Sequence, residues 1–184
     1  YGVGSEIDTN KPFITIMSHP VTTEYGAGEN QISKILKVIN TVNVQKIVFW
    51  PNPDAGSEDI SRGIRKWREK YGDNKTRYLK NLEQKYFYNL LNKTLCLVGN
   101  SSSGVREGCY IGLNNICIGT RQSGREIGKN TIMIKNDERA LSNVLKKIIK
   151  SKKNKKKDLK YGDGNAGKKI VKILENIDFK FEKK

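Results

Sequence analysis

The stretch from Gly99 to Glu107 carries the densest run of groups suited to chemistry on an anion. Its order, Gly99-Asn100-Ser101-Ser102-Ser103-Gly104-Val105-Arg106-Glu107, follows an apolar run (Leu95 to Val98) and leads into a helical pattern. A strand that breaks into small hydroxyl residues and then a helix leaves backbone N–H groups free at the positive end of the helix dipole, which suits a phosphate. The serines add side-chain donors, and Gly104 permits close approach of the backbone. Glu107 lies about one turn further on, where a carboxylate can accept hydrogen bonds from a ribose diol. The same residue types also serve a plain helix cap, with Asn100 or Ser101 as the capping residue. The segment alone leaves both readings open.

Other candidates are dispersed along the chain. His19 is the only histidine and precedes Pro20, which holds Ser18-His19 extended. Its imidazole could donate to a phosphate or shuttle a proton. The glycine-bracketed segment from Gly119 to Glu126 holds Arg121 and Arg125, whose guanidinium groups suit phosphates and carbonyls. Asn52 and Asp54 fall in Pro51-Asn52-Pro53-Asp54, where ordinary turn chemistry is the competing explanation. Tyr161-Gly162-Asp163-Gly164-Asn165-Ala166 reads as a turn with Asn165 as a helix cap. A P-loop pattern, a glycine fingerprint opening a helix after a strand, and a GxSxG elbow are all missing from the sequence.

The elements that must position these residues alternate. Apolar runs at Phe13–Met17, Ile47–Trp50, Arg77–Leu79, Leu95–Val98, Asn115–Ile118 and Thr131–Ile134 read as strands. Helical spacing covers about 30–40, where Ile32, Ile35, Leu36 and Ile39 share a face, and about 57–70, with Ser57 as cap. Further helices are expected over 83–91, from the serine turn to about Ile111, over 138–150 and over 166–177. Continuous apolar strands alternating with helices predict an α/β, Rossmann-like parallel sheet with helices on both faces. The loops bearing His19, Asn52, Ser101 and Arg121 then each follow a strand, and ligands of such sheets bind at the strands' carboxyl ends.

At 184 residues the chain suits one core, read as a linker over 1–12 and a domain over 13–184. Lys and Arg number 35 against 19 Asp and Glu, and a lysine run from Lys146 to Lys157 holds much of the excess. That run has no interleaved aromatics and no arginine, so a solvated surface is preferred to a nucleic-acid site. Cys96, Cys109 and Cys117 lack metal-ligand spacing and read as buried free thiols of a reducing compartment, so neither metal nor cofactor is expected. No apolar run is long enough to span a membrane, and a cytoplasmic location is the expectation.

Taken together, His19-Pro20-Val21-Thr22, Pro51-Asn52-Pro53-Asp54-Ala55-Gly56-Ser57, Gly99-Asn100-Ser101-Ser102, Gly104-Val105-Arg106-Glu107, Ile118-Gly119-Thr120-Arg121-Gln122, Gly124-Arg125 and the segment from Tyr161 to Ala166 occur in an order that resembles the C-terminal half of UDP-N-acetylglucosamine 2-epimerases, particularly the hydrolysing type of sialic-acid-like sugar biosynthesis. The resemblance runs from about Phe13 to about Ile177. It implies one half of a two-domain GT-B fold that holds a UDP-sugar. Ser101 and Ser102 would bind the diphosphate, Glu107 the ribose hydroxyls, and His19 would be the active-site histidine, while Asn52 and Arg121 line the nucleotide site. Asp54 and Arg125 are secondary candidates.

The implied reaction removes the C2 proton, expels UDP and adds water, giving N-acetylmannosamine. The acids that move the proton belong to an N-terminal half that this sequence lacks, so the fragment is expected to be inactive alone. A homo-oligomer of the full-length protein is compatible with the resemblance. The alternatives are the same chemistry on another UDP-hexosamine, such as a diacetamido trideoxy sugar, the donor domain of a GT-B glycosyltransferase, or a basic binding module built on the lysine run.

Overall fold

The central strand of the sheet is also its most apolar. The computed structural model describes residues 2–151 and 156–177. Phe13–Met17 forms strand β2, following a two-residue β1, Val3–Gly4. Strands β3 (Gln45–Phe49), β4 (Thr76–Leu79), β5 (Leu97–Gly99), β6 (Asn115–Ile118) and β7 (Thr131–Ile134) complete a sheet in the order β1-β4-β3-β2-β5-β6-β7. β2 pairs in parallel with both β3 and β5, β4 with β3, β6 with β5 and β7 with β6. The expected parallel α/β architecture is therefore present.

Its edge differs from the expectation. Val3 and Gly4 pair antiparallel with Tyr78 and Arg77, so the sheet begins inside the stretch read as a linker. A two-residue strand lies below the length at which hydrophobic periodicity can be recognised.

Alternation along each strand divides the core between two faces. Ile14, Ile16, Val48, Tyr78, Val98 and Ile116 face helices α1 (Gly28–Asn40), α2 (Ser57–Tyr71) and, further along the sheet, α6 (Glu138–Lys150). Phe13, Ile47, Phe49, Leu79 and Leu97 face the other way, onto Leu90 and Leu91 of α3 (Gln84–Lys93). The expected stripe of Ile32, Ile35, Leu36 and Ile39 on α1 is buried, and each such side chain contributes about 1.5–3 kcal/mol.

Helix starts depart from the sequence reading. Gly56, with φ +86°, precedes α2 where Ser57 was expected to cap, and Ser57 is itself the first helical residue. Asn165 precedes α7 (Ala166–Leu174) without a side-chain cap bond. Instead the Asn165 N–H donates to Asp163 Oδ1 at 2.9 Å. The helix after the serine turn divides into α4 (Ser102–Val105) and α5 (Glu107–Ile111), broken at Arg106 with φ −88° and ψ −73°.

Helix α7 forms as its periodicity predicts, yet none of its residues is buried. Ile170, Val171, Ile173 and Leu174 are 50–60% exposed. The three cysteines are buried free thiols. Among the described residues no helix is long and apolar enough to cross a membrane. Of the lysine run, residues 152–155 lie outside the described residues, Lys146, Lys147 and Lys150 belong to α6, and Lys157 stands over the Tyr110 ring at 4.8 Å.

Candidate functional site

The chain order β2, β3, β4 builds the sheet in one direction, and β5, β6, β7 build it in the other. The crevice at the carboxyl ends of β2 and β5 is therefore the topological switch point, where open α/β sheets bind ligands. Its floor is set by the pair Met17 and Gly99, the last in register between the two strands. Gly99 has φ +137°, a region that L side chains rarely adopt.

From that pair both chains turn toward each other. The Asn100 N–H donates to the Met17 carbonyl at 3.0 Å. The Asn100 side chain then takes both backbone groups of His19: Oδ1 accepts the His19 N–H at 2.7 Å, and Nδ2 donates to the His19 carbonyl at 2.8 Å. Both residues are buried. The Asn100 carbonyl in turn accepts from Gln122 Nε2 at 2.9 Å and from Arg121 Nη1 at 3.3 Å. A third loop, following β6, is tied to the same point.

A fourth loop arrives from β3. The Asn52 N–H donates to His19 Nδ1 at 3.3 Å, and Arg121 Nη2 stands 3.9 Å from Asp54 Oδ2. Burial first, and the Arg121 guanidinium second, press the His19 pKa down to about 4 against the opposing pull of the Asp54 carboxylate. His19 is thus a neutral imidazole at neutral pH.

At the serine turn, Ser101 is the residue before α4 and its Oγ accepts the Ser103 N–H at 3.3 Å. The capping reading is therefore realised. Ser102 opens the helix and is half-buried. Gly104 packs against β6 so closely that a Cβ there would reach within 2.2 Å of Asn115 Oδ1. That contact fixes the turn against the sheet, helped by Asn130 Nδ2, which donates to the Gly104 carbonyl at 3.0 Å.

Glu107 lies one turn further, on a cleft of about 500 Å³ lined also by Tyr88, Arg106, Tyr110 and Tyr161. Its Oε2 is fully enclosed and has no hydrogen-bond partner. A carboxylate oxygen withheld from water without a donor is costly unless something else supplies one.

The sequence-derived candidates thus separate. His19, Asn52, Asp54, Ser101 and Arg121 belong to loops tied together through Asn100, whereas Glu107 sits on the neighbouring cleft with Tyr161 and Gly162. Arg125 is exposed and makes no ion pair among the described residues. Asn100 and Gln122 were not among the sequence-derived site residues, yet both are buried at its centre. Both stand inside motifs that carry the family resemblance, Asn100 also directly after an apolar strand, but neither motif says that its side chain is turned inward. Among the described residues no group of three metal-ligating side chains occurs.

The family model for UDP-N-acetylglucosamine 2-epimerase matches residues 2–175. The chain belongs to that family. A UDP-N,N'-diacetylbacillosamine 2-epimerase (hydrolyzing) of Legionella pneumophila is 29% identical over 170 residues, 92% of this chain and 44% of the relative. A UDP-N-acetylglucosamine 2-epimerase of Neisseria meningitidis is 35% identical over 116 residues, 63% of this chain and 30% of that protein.

The solved Neisseria meningitidis UDP-GlcNAc 2-epimerase bound to UDP-GlcNAc superposes with a TM-score of 0.72 at 16% identity, covering 93% of this chain and 46% of that one. The likeness places the epimerase-family chain in one Rossmann-like half of a GT-B fold. The chain spans less than half the length of these relatives.

Proposed function

We propose that this chain is the nucleotide-binding part of a hydrolysing UDP-N-acetylglucosamine 2-epimerase, and that UDP lies across the switch-point crevice. The observation that carries the reading is the convergence on one buried asparagine of loops bearing His19, Ser101 and Arg121, beside a cleft lined by Glu107, whose Oε2 is enclosed and unpaired. In this reading Ser101, Ser102 and the first turn of α4 hold the diphosphate, supported by Arg121 and His19. Asn52 lines the nucleotide, with Asp54 orienting Arg121 and Arg125 reaching in from the rim. Glu107 accepts from the ribose hydroxyls once its side chain turns so that the enclosed Oε2 reaches the cleft, which would supply the missing donor.

The reaction in this proposal begins with loss of the C2 proton of the sugar to an acid–base pair outside this chain. The anomeric C–O bond then breaks, its electrons pass to the diphosphate oxygen, and the resulting glycal takes up water to give free N-acetylmannosamine and UDP, feeding sialic-acid-like sugar biosynthesis. The role of the present residues is to stabilise charge as it grows on the leaving diphosphate. The isolated chain then binds UDP without turnover, as a soluble cytoplasmic component.

A second reading keeps this chemistry on a diacetamido trideoxy UDP-sugar. The Legionella relative, matched along nearly the whole chain, supports that substrate class.

Calorimetric titration with UDP and GDP tests the nucleotide assignment. Selective UDP binding, weakened at least about tenfold (roughly 1.4 kcal/mol) by Glu107→Ala, is the expected result. Equal binding of both nucleotides, or an unaffected Glu107→Ala, overturns the site. Assaying the full-length protein with both sugars separates the two substrate readings.

A further inference from the structure

We infer that Asn100 is the positioning residue of this site, and that together with the Asn52 main chain it presents His19 as a neutral Nε2–H donor and not as a proton shuttle. The inference rests on the proposed location of the diphosphate for its ligand, but its geometric half stands on the protein alone.

The tautomer follows from the partner of Nδ1. A peptide N–H can only donate, so the Asn52 N–H obliges Nδ1 to keep its lone pair, and the ring proton of a neutral imidazole must sit on Nε2. Protonating Nδ1 would set two hydrogens against each other. The charged groups facing the ring are Arg121, from the loop after β6, and Asp54, from the loop after β3; these are themselves paired, and Arg121 disfavours an imidazolium.

Among the described residues Nε2 has no hydrogen-bond partner, and it is not fully enclosed although the residue as a whole is only 4% exposed. It is therefore the ring atom left to meet a ligand. A neutral donor with an unpaired N–H, held beside a serine turn, suits an anionic oxygen. No proton changes hands at this residue; the hydrogen bond shortens as negative charge accumulates on the leaving phosphate.

Asn100 supplies the aim. Its side chain makes to His19 the two bonds that a neighbouring strand would make, extending the β2–β5 ladder by one residue after both strands have ended. Its own main chain bonds Met17, Gln122 and Arg121. All four hydrogen-bonding groups of one residue thus orient the histidine relative to the arginine loop. Aspartate can reproduce the acceptor but not the Nδ2 donor, and alanine can reproduce neither.

Because His19 is the only histidine, a long-range proton–nitrogen spectrum of the uniformly labelled chain contains a single imidazole. The expected result is a protonated Nε2 and an unprotonated Nδ1 at pH 7, with a titration midpoint near 4. Addition of UDP should move the Nε2 signal much more than Nδ1. In Asn100→Asp the midpoint should rise, since the new carboxylate favours imidazolium, and in Asn100→Ala the tautomers should mix, with circular dichroism confirming that each variant is folded.

An Nδ1–H tautomer, or a midpoint near the ordinary 6.5, overturns the inference using the wild-type chain alone. UDP binding that leaves Nε2 unmoved overturns the donor role. Absence of any UDP binding counts instead against the proposed function, while the free-state spectrum still decides the tautomer.

Discussion

Gly99 lies so close to Met17 that a Cβ on Gly99 would come within 2.0 Å of the Met17 carbonyl oxygen. This contact lets the last residues of β5 and β2 pair in register and sets Asn100 over His19. Gly99→Ala combines that clash with a strained φ, so destabilisation of at least about 3 kcal/mol is expected. Urea denaturation of the variant measures it, and a loss under 1 kcal/mol would show that the strands can part without cost.

The buried His19 links stability to pH. Its folded pKa of about 4 lies below the unfolded value of 6.5, so the unfolded chain binds a proton first as pH falls. The stabilisation from keeping this ring neutral is complete above about pH 6.5 and is lost progressively down to about pH 4. Over that window wild type should lose up to roughly 3 kcal/mol more than His19→Gln, read as the difference between their urea midpoints at pH 7 and pH 4.5. Parallel pH profiles for the two proteins would refute this coupling.

Tyr78 is fully buried, its hydroxyl has no partner, and burial pushes its pKa up to about 12. The ring itself is well used, lying under Arg68 at 4.8 Å and beside Trp50 at 6.4 Å. Tyr78→Phe keeps those contacts and removes the orphan hydroxyl, so a gain of about 1 kcal/mol is predicted. Thermal melting decides it; a loss of similar size would reveal a hydrogen bond to water at this atom.

Helix α7 carries an apolar row that contributes nothing to the core. Ile173, 60% exposed, can therefore become lysine with a change of less than about 0.5 kcal/mol in stability. Light scattering of Ile173→Lys should also show less self-association than wild type at high concentration. A large drop in melting temperature would mean that α7 packs on the domain in solution.

Asp54 and Arg121 form a partly exposed, loosely spaced pair, worth little to stability. Asp54→Asn should leave the melting temperature nearly unchanged while lowering the His19 midpoint further, because a carboxylate that favours the imidazolium is gone. An unchanged midpoint would show that Asp54 does not act on the ring.

Local sequence determined the elements. The apolar run Phe13–Met17 and the periodic segment Glu138–Lys150 occupy the bounds that their patterns predict, because side-chain spacing of two or 3.6 residues is a property of neighbouring positions. The family motifs likewise mark the loops, since hydroxyl, glycine and arginine residues there are visible one by one.

Tertiary structure alone decided what those residues do to one another. Nothing within the segment Asn100 to Glu107 says that Asn100 will hold the backbone of a histidine 81 positions earlier, or that Gln122 will complete its hydrogen bonding. Nor does it say that Glu107 will be left with an unpaired oxygen in a different cleft from His19. Helix α7 makes the same point in reverse, since its amphipathic pattern specified a helix but not a surface to cover it. Hydrogen bonds and burial are pairwise between distant parts of the chain, so they exist only once the order of strands has brought those parts together.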